Sequence, residues 1–397
     1  MAARWQFASS ATRVDCGRPA PLRKHGCRPS AVTPLEEILD LARWAPSGDN
    51  SQPWRFEIVA ADHVVVHAFD TRRHCVYDLE GRASQLAVGG LLETMRLAAT
   101  LHGMALRIVR RADAPDERPL IDVRLERRAD VAADPLSAVI RDRSVQRKPF
   151  STAPLEPNLR RRLEQAVGPG YQVVWFEGWR QRLRMAWLAT RSAKIRLTTP
   201  EAYAVHRDVI AWGARYSEDK VPDQALGADP MTVRSMRWVL ASWSRVQTMN
   251  RFFGGTFLPR LQLDLLPGLR CAAHFALLAH EPASDVDGYL AAGAAMQRFW
   301  LACTGLGLQL QPQHTPLVFA DYARRQVPFT HVTKARERAT AVARLLDRRL
   351  GLAEARRAVF LGRVGRGAAA RSRSLRLPLD RLLWIPETTT PPSKAPG

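Results

Sequence analysis

No stretch of the chain approaches the roughly 18 uninterrupted apolar residues that a membrane-spanning helix needs. The first 30 residues also lack the apolar run of a secretory signal. These absences predict a cytoplasmic protein with no membrane partner. Cysteine is scarce: Cys16, Cys27, Cys75, Cys271 and Cys303 are odd in number, scattered, and form no C-x-x-C. That usage suits neither a disulfide framework nor a structural zinc. His63 and His67 share a strand face and His74 adjoins Cys75, but no carboxylate stands at ligand spacing in the sequence, so no metal is expected. Lysine is rare too, six of the 59 basic residues. The skew reads as an arginine-biased genome and weakens the nucleic-acid reading that a net charge of +21 invites. The arginines run along the whole chain with no zinc-finger or helix-turn-helix signature, so no specific nucleic-acid partner is expected.

What is present is a globular composition. The 397 residues, 46% hydrophobic and 24% charged, can bury one large core or two ordinary ones. Residues 1–33 carry six basic side chains against the single acid Asp15 and read as a disordered leader; residues 386–397, with four prolines and three consecutive threonines, read as a disordered tail. Between them, Thr33-Pro34-Leu35-Glu36-Glu37 supplies an N-cap, a first-turn proline and acids at the positive helix end, predicting a helix that reaches Trp44. Strands are expected at 54–59 and 63–69, a helix at 84–102, strands at 106–109 and 120–125, and a short helix ending near Asp142. A helix at 155–167, a strand at 171–176, Arg- and Trp-rich helices over much of 180–250 and late strands at 271–278 and 358–365 complete the series. The order is α+β and lacks the alternation of a doubly wound sheet. The tryptophans from Trp175 to Trp243 read as core or lid, with Trp212, Trp238 and Trp243 as candidate pocket walls.

One internal similarity organises the chain. Gly89-x7-Leu97-Ala98-x-Thr100-x-x-Gly103 matches Gly293-x7-Leu301-Ala302-x-Thr304-x-x-Gly307 at a constant offset of 204 residues. Amphipathic helices ending at a C′ glycine explain the Leu and the final Gly; the shared Ala, Thr and first Gly favour duplication. The expected halves are 34–133 and 134–385, the second carrying a helical insertion at about 180–260.

Four segments carry chemistry. Ala45-Pro46-Ser47-Gly48-Asp49-Asn50-Ser51-Gln52-Pro53-Trp54 is a turn of small polar groups braced by prolines. It serves either as a structural turn or as a set of backbone N–H and Asn50 amide groups meeting a planar heteroaromatic edge. Arg143-Ser144-Val145-Gln146-Arg147-Lys148-Pro149-Phe150 sets two guanidiniums four residues apart, which suits a solvated basic turn or a phosphate clamp. Gly305 to Thr315 follows the second repeat helix and ends on His314-Thr315. Last comes Ala358 to Gly365, with Arg371, Arg373 and Arg376 beyond it; its glycine order is wrong for a dinucleotide loop.

In this order the segments resemble the nitroreductase superfamily of FMN enzymes, and the length resembles its long, tandem-half branch, some of whose members carry a molybdopterin-biosynthesis label. No thiocarboxylate-forming or nucleotide-activating motif supports that label. The resemblance implies an α+β nitroreductase-like fold, two related half-domains packed as an intrachain pseudo-dimer with FMN between them. It implies that Pro46, Ser47, Gly48 and Asn50 lean on the isoalloxazine. Arg143, Ser144 and Arg147 would hold the phosphate and ribityl chain, although Ser144 stands one place early and Val145 occupies the hydroxyl position. A backbone N–H of His314 or Thr315 would meet N5, and Arg376, with Arg373 or Arg371, would add cations to the phosphate. The implied activity is electron transfer from NAD(P)H through the flavin to a nitroaromatic, quinone or related small-molecule acceptor, with no catalytic side chain demanded. The alternative is an FMN-binding or storage protein whose flavin is covered by the insertion. Either a monomer or a homodimer fits.

Overall fold

The computed structural model describes residues 32–385, so the expected tail and all but the end of the expected leader lie outside the described residues. The first helix, α1 (Pro34–Ala42), forms as its signals dictate: the Thr33 hydroxyl accepts from Glu36 N at 3.2 Å while the Glu36 carboxylate accepts from Thr33 N at 2.8 Å. Leu35, Ile38, Leu39 and Ala42 bury one face. The helix stops two residues short of Trp44 because the chain turns to present Ala45-Pro46.

Strands β1 (Trp54–Ala60) and β2 (His63–Ala68) form a hairpin, followed by α2 (Arg82–Thr100), β3 (Met104–Arg110) and β4 (Leu120–Arg127). They make an antiparallel sheet of order β1-β2-β4-β3. The short helix expected near Asp142 is a 3-10 turn, Pro135–Val139. Next come α3 (Pro157–Ala166) and β5 (Tyr171–Phe176). The insertion then supplies α4 (Gly178–Arg196), α5 (Pro200–Val209), the two-residue strands β6 (Ile210–Ala211), β7 (Tyr216–Ser217) and β8 (Val221–Pro222), then α6 (Pro230–Leu240), α7 (Trp243–Phe252), α8 (Phe257–Arg260) and α9 (Leu266–Leu269). After it come β9 (Ala273–Ala279), α10 (Val286–Gly305), β10 (Gln309–Pro312), α11 (Thr315–Arg324), α12 (Thr333–Leu350), α13 (Leu352–Arg357), β11 (Ala358–Gly365) and β12 (Arg373–Ser374). The second sheet, also antiparallel, runs β5-β9-β11-β10.

The two sheets share one topology: strand, strand, helix, strand, strand, with the fourth strand lying between the second and third. The insertion lies between the first two strands of the second sheet, where the first sheet has only the Ala61-Asp62 turn, and α11 to α13 lie between its last two strands. Helices α2 and α10 pack face to face. A Cβ on Gly89 would strike the Leu290 carbonyl, and one on Gly293 would strike that of Leu86. The polar contacts are reciprocal in the same sense, with Gln297 Nε2 donating to Thr94 Oγ1 at 2.9 Å and Arg298 Nη1 to Glu93 at 3.0 Å. Gly103 and Gly307 both adopt left-handed φ, 63° and 69°, just beyond the C-caps Leu101 and Leu306 of the two helices.

Strand β9 is buried along its whole length, with Ala276 and Leu278 in the core under α4 and α12 and Ala273, Phe275, Leu277 and Ala279 in the core under α10. Beyond β12 the chain crosses to the first sheet, where Leu377 and Leu382 join its core and Trp384 N donates to Phe56 O at 2.7 Å.

Candidate functional site

A cavity of about 650 Å³ lies among the two repeat helices, the turn before β1, the start of α11 and the insertion. Its lining includes Pro46, Ser47, Gly48 and Asn50; Arg143, Ser144 and Arg147; His314 and Thr315; and Arg373 and Arg376. The fold thus brings all eleven nominated residues to one place from both ends of the chain. Arg371, the alternative cation, is not part of the lining; its carbonyl accepts from Arg215 Nε at 2.9 Å. Trp212, Trp238 and Trp243, nominated as walls, do not line it either, and Trp238 points to solvent at 55% exposure.

The turn is held under strain. Asp49, Asn50 and Gln52 all carry left-handed φ, 50°, 62° and 47°, each costing about 1 kcal/mol or more for a non-glycine residue. Side chains lock it. Ser47 Oγ accepts from Gln52 N at 3.0 Å, Gln52 Nε2 donates to Glu218 O at 2.8 Å, and Gln52 Oε1 accepts from Leu377 N at 2.9 Å. Asn50 Nδ2 donates to Glu218 O at 2.9 Å and its Oδ1 accepts from Arg376 Nη1 at 2.9 Å. The Asn50 amide, read from sequence as a contact for a heteroaromatic edge, is therefore engaged in fixing Arg376 and the 218–220 segment. Strand β12 pairs in parallel with β7, so the insertion also grips the basic segment.

Arg143, Arg373 and Arg376 form one cationic group. Arg143 Nη2 donates to Trp44 O at 2.8 Å and its guanidinium stands 4.6 Å over the Trp300 ring. Arg376 Nε donates to Ala45 O at 2.9 Å, and Arg373 Nη2 to Arg141 O at 2.8 Å. These partners are carbonyls and rings, which position a cation without neutralising it. Burial, then Arg376 and Arg373, hold Arg143 well below its usual pKa; burial, then Arg373 and Arg43, hold Arg376 down at about 9. Arg143 Nε and Arg373 Nε are buried without a hydrogen-bond partner among the described residues. Mutually repelling buried guanidiniums with spare donors are the chemistry of a site for a multiply charged anion.

Arg147 belongs to a different charge group. Its Nη1 donates to Ala225 O at 3.0 Å; burial lowers its pKa, and Asp49 opposes the shift. Burial in turn raises the Asp49 carboxyl, against the pull of Arg147 and Arg196. Val145 pairs its backbone with Leu310 beside β10, and Gln146 N donates to Leu310 O at 3.1 Å, which anchors the segment to the second sheet. His314 occupies the N-cap position of α11 without a side-chain cap bond, its ring held down at about 4 by burial and its Nδ1 buried without a partner among the described residues.

Several site residues escaped the sequence reading. Arg363, fully buried in β11, donates from Nη2 to the Arg147 and Lys148 carbonyls at 2.8 Å each and from Nε to Gln311 Oε1 at 2.6 Å. A lone arginine in an otherwise apolar strand was the available signal. Tyr77 Oη lies 3.0 Å from His206 Nε2 inside the cavity, with Arg196 beside them paired to Asp264 at 3.2 Å. Burial pushes His206 down to about 3 and raises Tyr77, so the imidazole and the phenol share a hydrogen bond with both groups neutral. No motif surrounds either residue. From Arg196 to Leu263 the insertion supplies half of the lining, most of it apolar.

No protein-family model matches the chain. Over 298 residues, 74% of this chain, the sequence is 24% identical to "Uncharacterized protein MT1398" of Mycobacterium tuberculosis (strain CDC 1551 / Oshkosh), and the chain spans 40% of that relative's length. Among solved structures, a nitroreductase-like family protein from Bacillus cereus is similar with a TM-score of 0.31 and 14% identity, covering 65% of this chain and 98% of that one.

Proposed function

We propose that the chain binds FMN in the 650 Å³ cavity and acts as an oxidoreductase that passes electrons from NAD(P)H to a small acceptor such as a nitroaromatic or quinone. The carrying observation is the buried pair Arg143 and Arg376 with the half-buried Arg373 beside them, and two unused Nε donors among the described residues. A terminal phosphate dianion relieves their repulsion and takes those donors. The volume lies within the range of about 300–1,000 Å³ usual for small-molecule sites. A monophosphate suits the single basic end better than a dinucleotide.

Bound there, the flavin supplies hydride and electron transfer. The chain's own residues bind and orient it. Arg143, Arg373 and Arg376 take the phosphate, with Asn50 holding Arg376 in place. Arg363 fixes the backbone that carries Arg147, and Ser144 lines the cavity next to Arg143. The strained Pro46 to Asn50 turn and the His314-Thr315 backbone at the positive end of α11 provide N–H donors for the ring system. The half of the lining contributed by the insertion excludes water from the opposite face.

The test is chromatography of the chromophore released on denaturation. FMN is the expected product; FAD, or a colourless protein that takes up no flavin, overturns the reading. The extent of the insertion's wall supports a second reading, FMN storage under a covered face. Consumption of NAD(P)H with a quinone or nitroaromatic separates the two: turnover supports the oxidoreductase, and a stably yellow protein without turnover supports storage.

A further inference from the structure

The outer face of the insertion has an unusual composition for a soluble surface. From Pro230 to Leu263 the sequence contains five arginines, Arg234, Arg237, Arg245, Arg251 and Arg260, and no acidic residue. Within this stretch Met231 is 81% exposed, Trp238 55%, Phe252 68%, Phe253 71% and Phe257 67%. Isolated exposed apolar side chains are ordinary, but a succession of large ones on adjoining helices marks an interaction surface. Arg260 is half-buried and donates from Nε to Thr190 O at 3.0 Å, so the four exposed arginines are the ones that stand beside these side chains. Arg245 stacks over the Trp238 ring at 4.7 Å and donates from Nη1 to Trp238 O at 3.1 Å, and Arg251 stacks over Phe252 at 5.2 Å.

Helix α6 is two-faced. Thr232, Met236, Val239 and Leu240 line the cavity, while Met231, Arg234 and Trp238, three to four residues apart along the opposite side, are exposed. Phe253 and Phe257 are both exposed and part of the lining, so they stand at the cavity's rim. We propose that the α6–α8 face docks on an anionic lipid bilayer, inserting Phe252, Phe253 and Phe257 at the interface with the arginines on phosphate headgroups, so that the apolar half of the cavity opens toward the membrane. Aromatic and aliphatic side chains flanked by arginine are the composition of interfacial helices, and the acid-free stretch complements a negative leaflet. Met231 and Leu258 have no stacking use on nucleic-acid bases but partition into lipid, which favours the bilayer over RNA. The sequence argued against a membrane partner from the lack of a spanning run; docking of this kind needs none, and no described helix is long and apolar enough to cross a membrane. The inference does not depend on flavin binding.

The test uses the full chain and sedimentation with phosphatidylcholine vesicles, with and without phosphatidylglycerol. Binding is expected to the anionic vesicles, weakened but not abolished by salt. The double substitution Trp238→Ser with Phe252→Ser should reduce partition about ten-fold or more, with the thermal midpoint unchanged. Arg344→Glu, an exposed charge reversal on α12, should leave most of it. If the double variant fails to fold, Met231→Ser with Phe252→Ser replaces it. The proposal falls if vesicles are not bound, or if the serine variants bind them as well as the unaltered chain. It falls equally if light scattering finds a dimer that Phe252→Ser dissolves, making a second copy the occupant, or if single-stranded RNA binds this face and vesicles do not.

Discussion

Gly89 of α2 and Gly293 of α10 are each pressed against the other helix's backbone, Gly89 on Leu290 and Gly293 on Leu86. Leu86 precedes Gly89 by the same interval as Leu290 precedes Gly293, so the contact maps onto itself when the helices are exchanged. The Glu93–Arg298 and Thr94–Gln297 pairs obey the same exchange. Such reciprocity is the signature of a two-fold interface. Combined with the common strand order of the two sheets, it supports the proposal of an intrachain pseudo-dimer derived by duplication.

Glycine is required at this crossing by proximity rather than by backbone conformation. Gly293→Ala should therefore destabilise the protein by about 1–3 kcal/mol or more, the cost of overpacking a tight contact. Gly90→Ala is the control. Its nearest neighbours would lie at 3.6 Å and 3.7 Å, an ordinary contact, so the gain in helix propensity makes it neutral or stabilising by about 0.5–1 kcal/mol. Urea denaturation of the two variants reads the sign; equal losses would mean that the crossing does not set the requirement.

At the basic end of the cavity, Arg376→Gln should weaken FMN binding by roughly 10- to 150-fold, the loss of about 1.5–3 kcal/mol for one charge-assisted contact. Arg344→Glu, exposed and remote from the cavity, should change it by less than about three-fold at physiological salt. Flavin fluorescence quenching during titration measures both. Similar losses at the two positions would reduce the effect to overall charge.

The buried His206 gives the protein an acid sensitivity. Its ordinary pKa of 6.5 falls to about 3 on folding, so between those values the unfolded chain binds a proton that the folded chain does not. Stability is fully present above pH 6.5 and is lost as pH falls toward 3, by about 1.4 kcal/mol per pH unit for one site. His206→Gln should flatten the stability profile between pH 6 and pH 4 by about that slope, as read by denaturant midpoints. An unchanged profile would place the acid sensitivity elsewhere, with His274 and His314 the next groups to examine, both held down at about 4 by burial.

Much of this architecture was legible from local signals. The Thr33 cap, the β-branched and aromatic runs of β1 and β2 and the repeat around Gly89 and Gly293 each follow from short-range chemistry, and the structure places them within a few residues of expectation. The motif residues converge because each lies at a junction between elements, where turn chemistry is written in the sequence. What stayed hidden depends on long-range partners. Tyr77 and His206 acquire their roles only because the insertion folds back over the cavity, and Arg363 reads as a strand residue until its contact with Arg147 O is seen. The exposure of Trp238 and Phe252 runs against the burial expected of aromatics and cannot be read from composition.

Stoichiometry follows from comparing the two halves. Because β1 and β5 occupy the same place in their sheets, the counterpart of the turn before Trp54 is the segment before Tyr171, Val167-Gly168-Pro169-Gly170. It lacks the Asn and Gln that lock the strained turn. The residues 204 positions after Ser47-Gly48, Arg251-Phe252, fall in the insertion instead, because the constant offset breaks where that insertion enters. Val167 and Tyr171 line a second cavity of about 440 Å³ on the other side of the α2–α10 pair, and its arginines are already neutralised: Arg110 by Asp287 at 2.8 Å, Arg96 by Glu93 at 2.8 Å and Arg298 by Glu93 at 3.0 Å. A phosphate entering there would have to displace carboxylates, whereas among the described residues no carboxylate forms an ion pair with Arg143, Arg373 or Arg376. One FMN per polypeptide is therefore expected, bound whether the protein is a monomer or a homodimer. Flavin absorbance against protein concentration on a fully loaded sample, with mass from light scattering, measures it; two flavins per chain, or flavin lost whenever a dimer dissociates, would overturn the assignment of a single intrachain site.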